Sequence, residues 1–313
     1  MGAAFAVSAP AFGWVVAGLA LRGLGLLTEP LVTRVSQLAF RFGLPIMLFA
    51  SAAQVDYSTI GSAVYLLAGA LATVLTLTLA WIYSRWRGYS RPLQGILVQA
   101  SFRSNLAIIG IALAVSAYGE RGLLLAAMPV ALLTALYNVL AVWVLNVTHG
   151  SGATFAALLG GIIRNPLIIG ISAGVLLALS GMPVPGFVAP LGALMSTSFL
   201  PLMLLCIGGA MQLSKLRGTG LIAWEATAWR LCVGPLLTVL LAVAMGVRDE
   251  PLGVLFLLIS SPVAAASFVM VVAARGDGVL AANIVVLTTL LSLLTVTVGF
   301  FLLSLFALAG HPG

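Results

Sequence analysis

The sequence predicts an all-α polytopic membrane protein, and three observations carry the prediction. Of 313 residues, 62% are hydrophobic and 7% charged, whereas a soluble domain carries roughly 25% charged residues. Mean hydropathy is +1.21. The apolar residues also fall into ten runs, each of a length suited to the ~20 helical residues that cross a ~30 Å hydrocarbon layer. No run alternates apolar with polar positions, and the runs exceed the length of barrel strands, so a β-barrel is excluded. The 14 basic and 7 acidic residues leave no room for a sizeable domain outside the bilayer. The basic residues are dispersed between apolar runs. They therefore read as topology signals rather than as a nucleic-acid surface, and no nucleic-acid partner is expected.

Punctuation by charge, Pro and Gly sets the spans at 10–27, 31–52, 60–83, 93–117, 122–146, 164–181, 187–211, 226–246, 251–273 and 279–308. The first has no basic residue before it, so it reads as a spanning helix and not as a leader. Connections after spans 1, 3, 5, 7 and 9 hold Arg22, Arg34, Arg85, Arg87, Arg91, Arg164, Lys215, Arg217 and Arg275, against Arg121 and Arg248 on the other face. That bias puts the odd connections in the cytoplasm and both termini outside the cytoplasm of a cell (plasma or inner) membrane. Cys206 and Cys232 fall inside apolar runs and read as packing residues. The longest connection, 146–163, contains Gly-Ser-Gly and a lone His149 expected in solvent. The Asn146-Val147-Thr148 glycosylation triplet lies on the expected cytoplasmic side, so it carries no meaning.

The two halves resemble each other. Leu44-Pro45-Ile46-Met47-Leu48 returns as Leu200-Pro201-Leu202-Met203-Leu204, an offset of 156, and Gly119 returns as Gly276, an offset of 157. Each repeat holds five spans, and an odd number makes the second copy cross the membrane in the opposite sense. The expected organisation is a 5+5 inverted repeat: 1–149, a cytoplasmic linker at 150–163, and 164–313. Spans 4 and 9 become equivalent, and both are polar in mid-membrane. Span 4 has Ser101-Phe102-Arg103-Ser104-Asn105 and Gly110; span 9 has Ser260-Ser261-Pro262 and Ser267. Pro removes a backbone donor, while Ser and Asn can satisfy the groups that a helix break frees. Two broken helices crossing at the midplane would present half-helix ends, partly positive at their N-termini.

Arg103 stands about ten residues into span 4, where a cation costs several kcal/mol. Three readings are open: anion ligand or gate, donor to exposed carbonyls, or a side chain reaching the interface. Asn105 can bind a carboxylate or stitch a helix break. Arg41 and the Glu225/Arg230 pair are expected as interfacial anchors, and Pro45 and Pro201 as kinks. Gly170 and Gly174 suit close helix packing. No Asp or Glu falls deep in a span, and no protease, hydrolase or P-loop motif is present, so an enzyme is not expected, nor is a cofactor or metal.

The string Asn105-Leu-Ala-Ile-Ile-Gly110-Ile111-Ala112-Leu113, ending in Tyr118-Gly119, resembles the auxin efflux carrier family. Phe42-Gly-Leu-Pro45, Arg164-Asn165-Pro166, Ser261-Pro262 and Val286-Leu-Thr288-Thr289-Leu-Leu-Ser292-Leu are similar to its spans 2, 6, 9 and 10. The resemblance implies a crossover of spans 4 and 9, as in bile acid symporters and sodium/proton antiporters. It further implies a scaffold of spans 1, 2, 6 and 7, a moving transport domain of spans 3–5 and 8–10, and Asn105 at a substrate carboxylate. Two crossover prolines of the family stand here as Ala112 and Ser267. Expected crossover positions are thus Gly110, Ala112, Pro262 and Ser267, and expected substrate positions Arg103, Ser104, Asn105, Ser261 and Pro262.

The function this implies is secondary transport of small organic anions, auxin- or malonate-like carboxylates, by an elevator mechanism. A sodium-coupled bile-acid-type symporter is the alternative within transport, weakened by the lack of an acidic residue beside Pro262. A non-transporting membrane sensor is the alternative outside it. Expected partners are the organic anion, the lipid bilayer and a second copy of the chain through the scaffold helices.

Overall fold

The computed structural model describes residues 2–54, 64–149, 166–210 and 220–310, and the expected linker at 150–163 lies outside them. The described residues are nearly all helical. In chain order they form α1 Gly2–Gly23, α2 Glu29–Leu38, α3 Leu44–Ala53, α4 Val64–Trp86, α5 Arg91–Phe102, α6 Ile111–His149, α7 Pro166–Leu179, α8 Val188–Ala210, α9 Leu221–Ala228, α10 Gly234–Ala244, α11 Asp249–Ser260, α12 Ala266–Ala273 and α13 Gly278–Leu305. Single π turns at Ala39–Gly43, Leu106–Gly110 and Trp229–Val233 join α2 to α3, lead into α6, and join α9 to α10.

Among the described residues five stretches are long and apolar enough to cross a membrane: Val64–Trp86, Leu106–His149, Val188–Gly209, Leu221–Ala244 and Gly278–Leu305. At a rise of ~1.5 Å per residue the second would reach about 66 Å, twice a hydrocarbon layer. It does not run straight, because Gly119 takes φ 57° and ψ −138°. A backbone so far from helical is cheap only for glycine, and the corner falls where the sequence separates spans 4 and 5.

Packing follows the logic of helices in lipid, where small residues let backbones approach and large ones face the acyl chains. On α4, Ala68, Gly69, Ala72, Thr73, Thr76 and Ala80 are buried, whereas Leu67, Leu71, Val74 and Ile82 are exposed. On α7, a Cβ added at Gly170 or Gly174 would meet the carbonyl oxygens of Pro45 and Phe49 on α3, so the expected close packing of that glycine pair is present. In the same way Gly18 of α1 and Gly208 of α8 each lie against the other's backbone. Thus α1, α3, α7 and α8 pack on one another, and α4, α5, α6, α10 and α11 form a second set of neighbours.

Several expectations change. The first helix runs from Gly2 to Gly23 rather than over 10–27, since Gly2-Ala-Ala-Phe-Ala-Val-Ser-Ala is apolar apart from Ser8 and continues the helix ahead of Pro10. The two prolines expected as kinks lie within helix, Pro201 inside α8 and Pro45 in the first turn of α3, directly after the π turn that ends at Gly43. His149 is not in a loop: α6 reaches it, and its Nδ1 lies 2.9 Å from Thr148 Oγ1. Cys206 is buried as expected, but Cys232 is exposed on the Trp229–Val233 turn. Arg41 is exposed on the first π turn.

Candidate functional site

Two helices are interrupted, and their interruptions meet. α5 stops at Phe102, with Arg103 at φ −84° and ψ 83°, and helix resumes at Leu106. α11 stops at Ser260, with Ser261 at φ −61° and ψ 152°, the extended conformation that a following proline favours. The chain resumes as helix at Ala266. Ser104 and Val263 form an isolated antiparallel bridge: Asn105 N donates to Pro262 O at 2.8 Å and Ala264 N to Arg103 O at 3.1 Å. Each break thereby satisfies backbone groups of the other, which hydrocarbon would leave unpaired. Thr288 of α13 supports the pair by accepting from Val263 N at 3.2 Å. Asn105 and Pro262, 157 positions apart in sequence, are thus hydrogen-bonded neighbours.

Glycine is needed beside the crossing. Gly110 N closes the π turn onto Asn105 O at 2.9 Å. A Cβ on Gly110 would lie 3.0 Å from Leu258 Cδ2 and 3.2 Å from Leu258 Cα, so a side chain here would press on α11 and require it to give by a few tenths of an ångström. Ala112 is buried in α6 two residues further on, directly after the π turn that interrupts the regular helix. Ser267 is buried in α12, and its Oγ has no partner among the described residues.

The polar side chains divide into those already engaged and those left free. Ser104 Oγ is 3.0 Å from Tyr137 Oη, and Ser261 Oγ donates to Leu258 O at 2.8 Å. Arg103 is 7% exposed; its Nη2 donates to Asn138 Oδ1 at 2.9 Å, while Nε and Nη1 have no partner. Asn105 is 8% exposed, and its side chain does not cap the helix that follows. The free donors are therefore a guanidinium edge and an amide beside the paired breaks.

Sequence reasoning missed Arg230. It was expected at an interface beside Glu225, yet it is 1% exposed, and its Nη1 donates to Ser101 O at 3.2 Å, near the C-terminal end of α5. A cation there suits the negative end of a helix. Its Nε and Nη2 have no partner. Around it Thr73, Thr76, Tyr137 and Thr238 line a cavity with room for about one water molecule. The three threonine hydroxyls donate to carbonyls of their own helices at 2.8–2.9 Å, so their oxygens remain as acceptors for the guanidinium or for one water. Glu225 instead pairs with Arg87 at 2.7 Å and accepts from Tyr89 Oη at 2.6 Å. Burial, and then the Glu225 carboxylate, push the Tyr89 phenol above its ordinary pKa. The described residues hold no cluster of three or more His, Cys, Asp or Glu side chains with the arrangement of a metal site.

Fold and site define a class: a polytopic helical membrane protein whose unpaired polar groups sit on two paired helix breaks in its interior. The sequence model of the family described as Membrane transport protein matches residues 9–300, and the chain belongs to that family. It is a membrane transporter, and the match encloses every string that resembles the auxin efflux carriers. An uncharacterized transporter of Methanothermobacter thermautotrophicus is 23% identical over 282 residues, covering 90% of this chain and 92% of its own.

Proposed function

We propose that the chain is a secondary transporter of small organic anions, carboxylates of the auxin- or malonate-like kind, bound beside the paired breaks and moved by an elevator-type mechanism. One observation carries the reading: Arg103 is buried with two unpartnered donor atoms, next to the hydrogen-bonded Asn105–Pro262 pair. A buried cation whose partner is a neutral amide retains donors that suit a carboxylate. In this reading Arg103, Ser104, Asn105, Ser261 and Pro262 hold the anion, and Gly110, Ala112, Pro262 and Ser267 shape the crossing.

The ten spans then form a 5+5 inverted repeat. Spans 3–5 and 8–10 move against a scaffold of spans 1, 2, 6 and 7, through which two copies would associate. The protein sits in the plasma or inner membrane with both termini outside the cytoplasm. The test is uptake of radiolabelled mono- and dicarboxylates into proteoliposomes, with and without sodium and pH gradients. Saturable uptake that an unlabelled carboxylate competes is the expected result. No uptake from a broad panel, together with no thermal stabilisation by any member of it, would reject the reading.

A further inference from the structure

We infer that the end of the bundle where α4, α5 and α6 meet carries a site for the phosphate headgroup of an anionic phospholipid. A cavity of about 330 Å³ lies there, lined by Trp81, Arg85, Arg91, Gln94, Val147 and Thr148. Three arginines crowd this turn, and only one is committed: Arg87 is held by Glu225 at 2.7 Å, whereas Arg85 and Arg91 have no hydrogen-bond or ion-pair partner among the described residues. Both free arginines line the cavity.

The other polar walls do not compete with them. Thr148 Oγ1 donates to Val144 O at 2.8 Å and one N–H of Gln94 Nε2 to Tyr89 O at 2.6 Å, so the charged donors available are the two guanidinium groups, with the second Gln94 N–H beside them. At this end Glu225 is occupied by Arg87 and Tyr89, and Asp277 accepts from Leu280 N at 3.0 Å. The cavity thus offers two cations and no described carboxylate, which fits a phosphate, the anion that guanidinium forks bind best.

The remaining walls decide between a lipid and a soluble phosphate. Trp81 packs on Trp143 with ring centroids 5.4 Å apart, and Trp143, Trp86 and Val147 are exposed. Exposed tryptophans at a helix end mark the depth of lipid headgroups. An exposed apolar wall beside the cationic one suits a headgroup with an acyl chain, and basic pockets between helix ends are the type that anionic headgroups fill.

Thermal melting of the purified protein in a neutral detergent, titrated with phosphatidylglycerol, phosphatidylcholine, sn-glycerol 3-phosphate or inorganic phosphate, tests this. Phosphatidylglycerol should raise the melting temperature, and phosphatidylcholine and both soluble phosphates should not. Each of Arg85→Gln and Arg91→Gln should raise the half-saturating phosphatidylglycerol concentration about fivefold, and the double variant about 30-fold. Both side chains are exposed and unpartnered, so the lipid-free melting temperature should not move. Arg34→Gln, which removes an exposed cation elsewhere, should leave the response intact. An undiminished response in the double variant would place the lipid elsewhere. Equal protection by either soluble phosphate would make this a soluble-anion site and overturn the lipid assignment.

Discussion

Arg103→Met is the sharpest perturbation of the proposed anion site, because it keeps the stem and removes only the guanidinium. In the folded protein that group makes one bond, to Asn138 Oδ1 at 2.9 Å, and leaves Nε and Nη1 buried and unpartnered. Losing the charged hydrogen bond costs about 1.5–3 kcal/mol, while removing two unsatisfied donors recovers about 1–3 kcal/mol each. The terms oppose, and exchanging an imperfectly paired buried ion for an apolar side chain is often neutral or stabilising. Fold stability should therefore fall by no more than about 2 kcal/mol. For a bound carboxylate nothing opposes the loss: one charge-assisted contact disappears, worth about 1.5–3 kcal/mol, or roughly 10- to 150-fold in affinity. Thermal melting in detergent reads the first quantity, and equilibrium binding of a labelled carboxylate found by the uptake panel reads the second. A variant that melts far lower yet binds with unchanged affinity would show that Arg103 serves the fold through Asn138 and not the substrate.

Other outcomes follow from the same geometry. Asn105→Leu should abolish transport with little loss of folded protein, since the amide does not cap the following helix; Asn105→Gln should retain part of the activity, and a fully active Leu variant would remove Asn105 from the site. Gly110→Val should cost at least the ~1–3 kcal/mol of overpacking, because even the first added carbon falls 3.2 Å from Leu258 Cα; an unchanged melting temperature would mean that α11 yields at the crossing. Cysteines placed at either terminus should react with an impermeant thiol reagent in intact cells, and protection of both would invert the orientation drawn from the arginine bias.

The crossing was legible because its chemistry is local. Ser261-Pro262 sits in a polar stretch where the proline disfavours the helical region for the residue before it, and the near-equal offsets of Leu44/Leu200 and Gly119/Gly276 pointed from Pro262 back to Asn105. The fate of Arg230 was not legible. Glu225 precedes it by five residues, a spacing that does not bring two helical side chains face to face. What withdraws Glu225 is Arg87, 138 positions away in sequence, and only tertiary packing brings them together. Thr288 was visible as part of a resembling string, but its contact with Val263 N depends on where α13 packs. Helix ends were the least legible, as at Gly2 and His149, because they fray and shift without a signal in the local sequence.

The distribution of charge bears on how the proposed carrier would move. Glu225 and Glu250 are paired at helix ends, with Arg87 and Arg121, whereas Arg103 and Arg230 are buried with neutral oxygen acceptors only. An empty transport domain would then carry uncompensated positive charge past the scaffold, and unpaired charge at membrane depth costs several kcal/mol. A bound carboxylate offsets part of it, so the loaded domain should cross more readily than the empty one. The expected consequence is trans-stimulation: proteoliposomes preloaded with unlabelled substrate should take up label several-fold faster than empty ones, the ratio falling toward one in Arg103→Met. Equal rates into loaded and empty vesicles would mean that the unloaded domain moves freely and that these buried charges do not govern the transit.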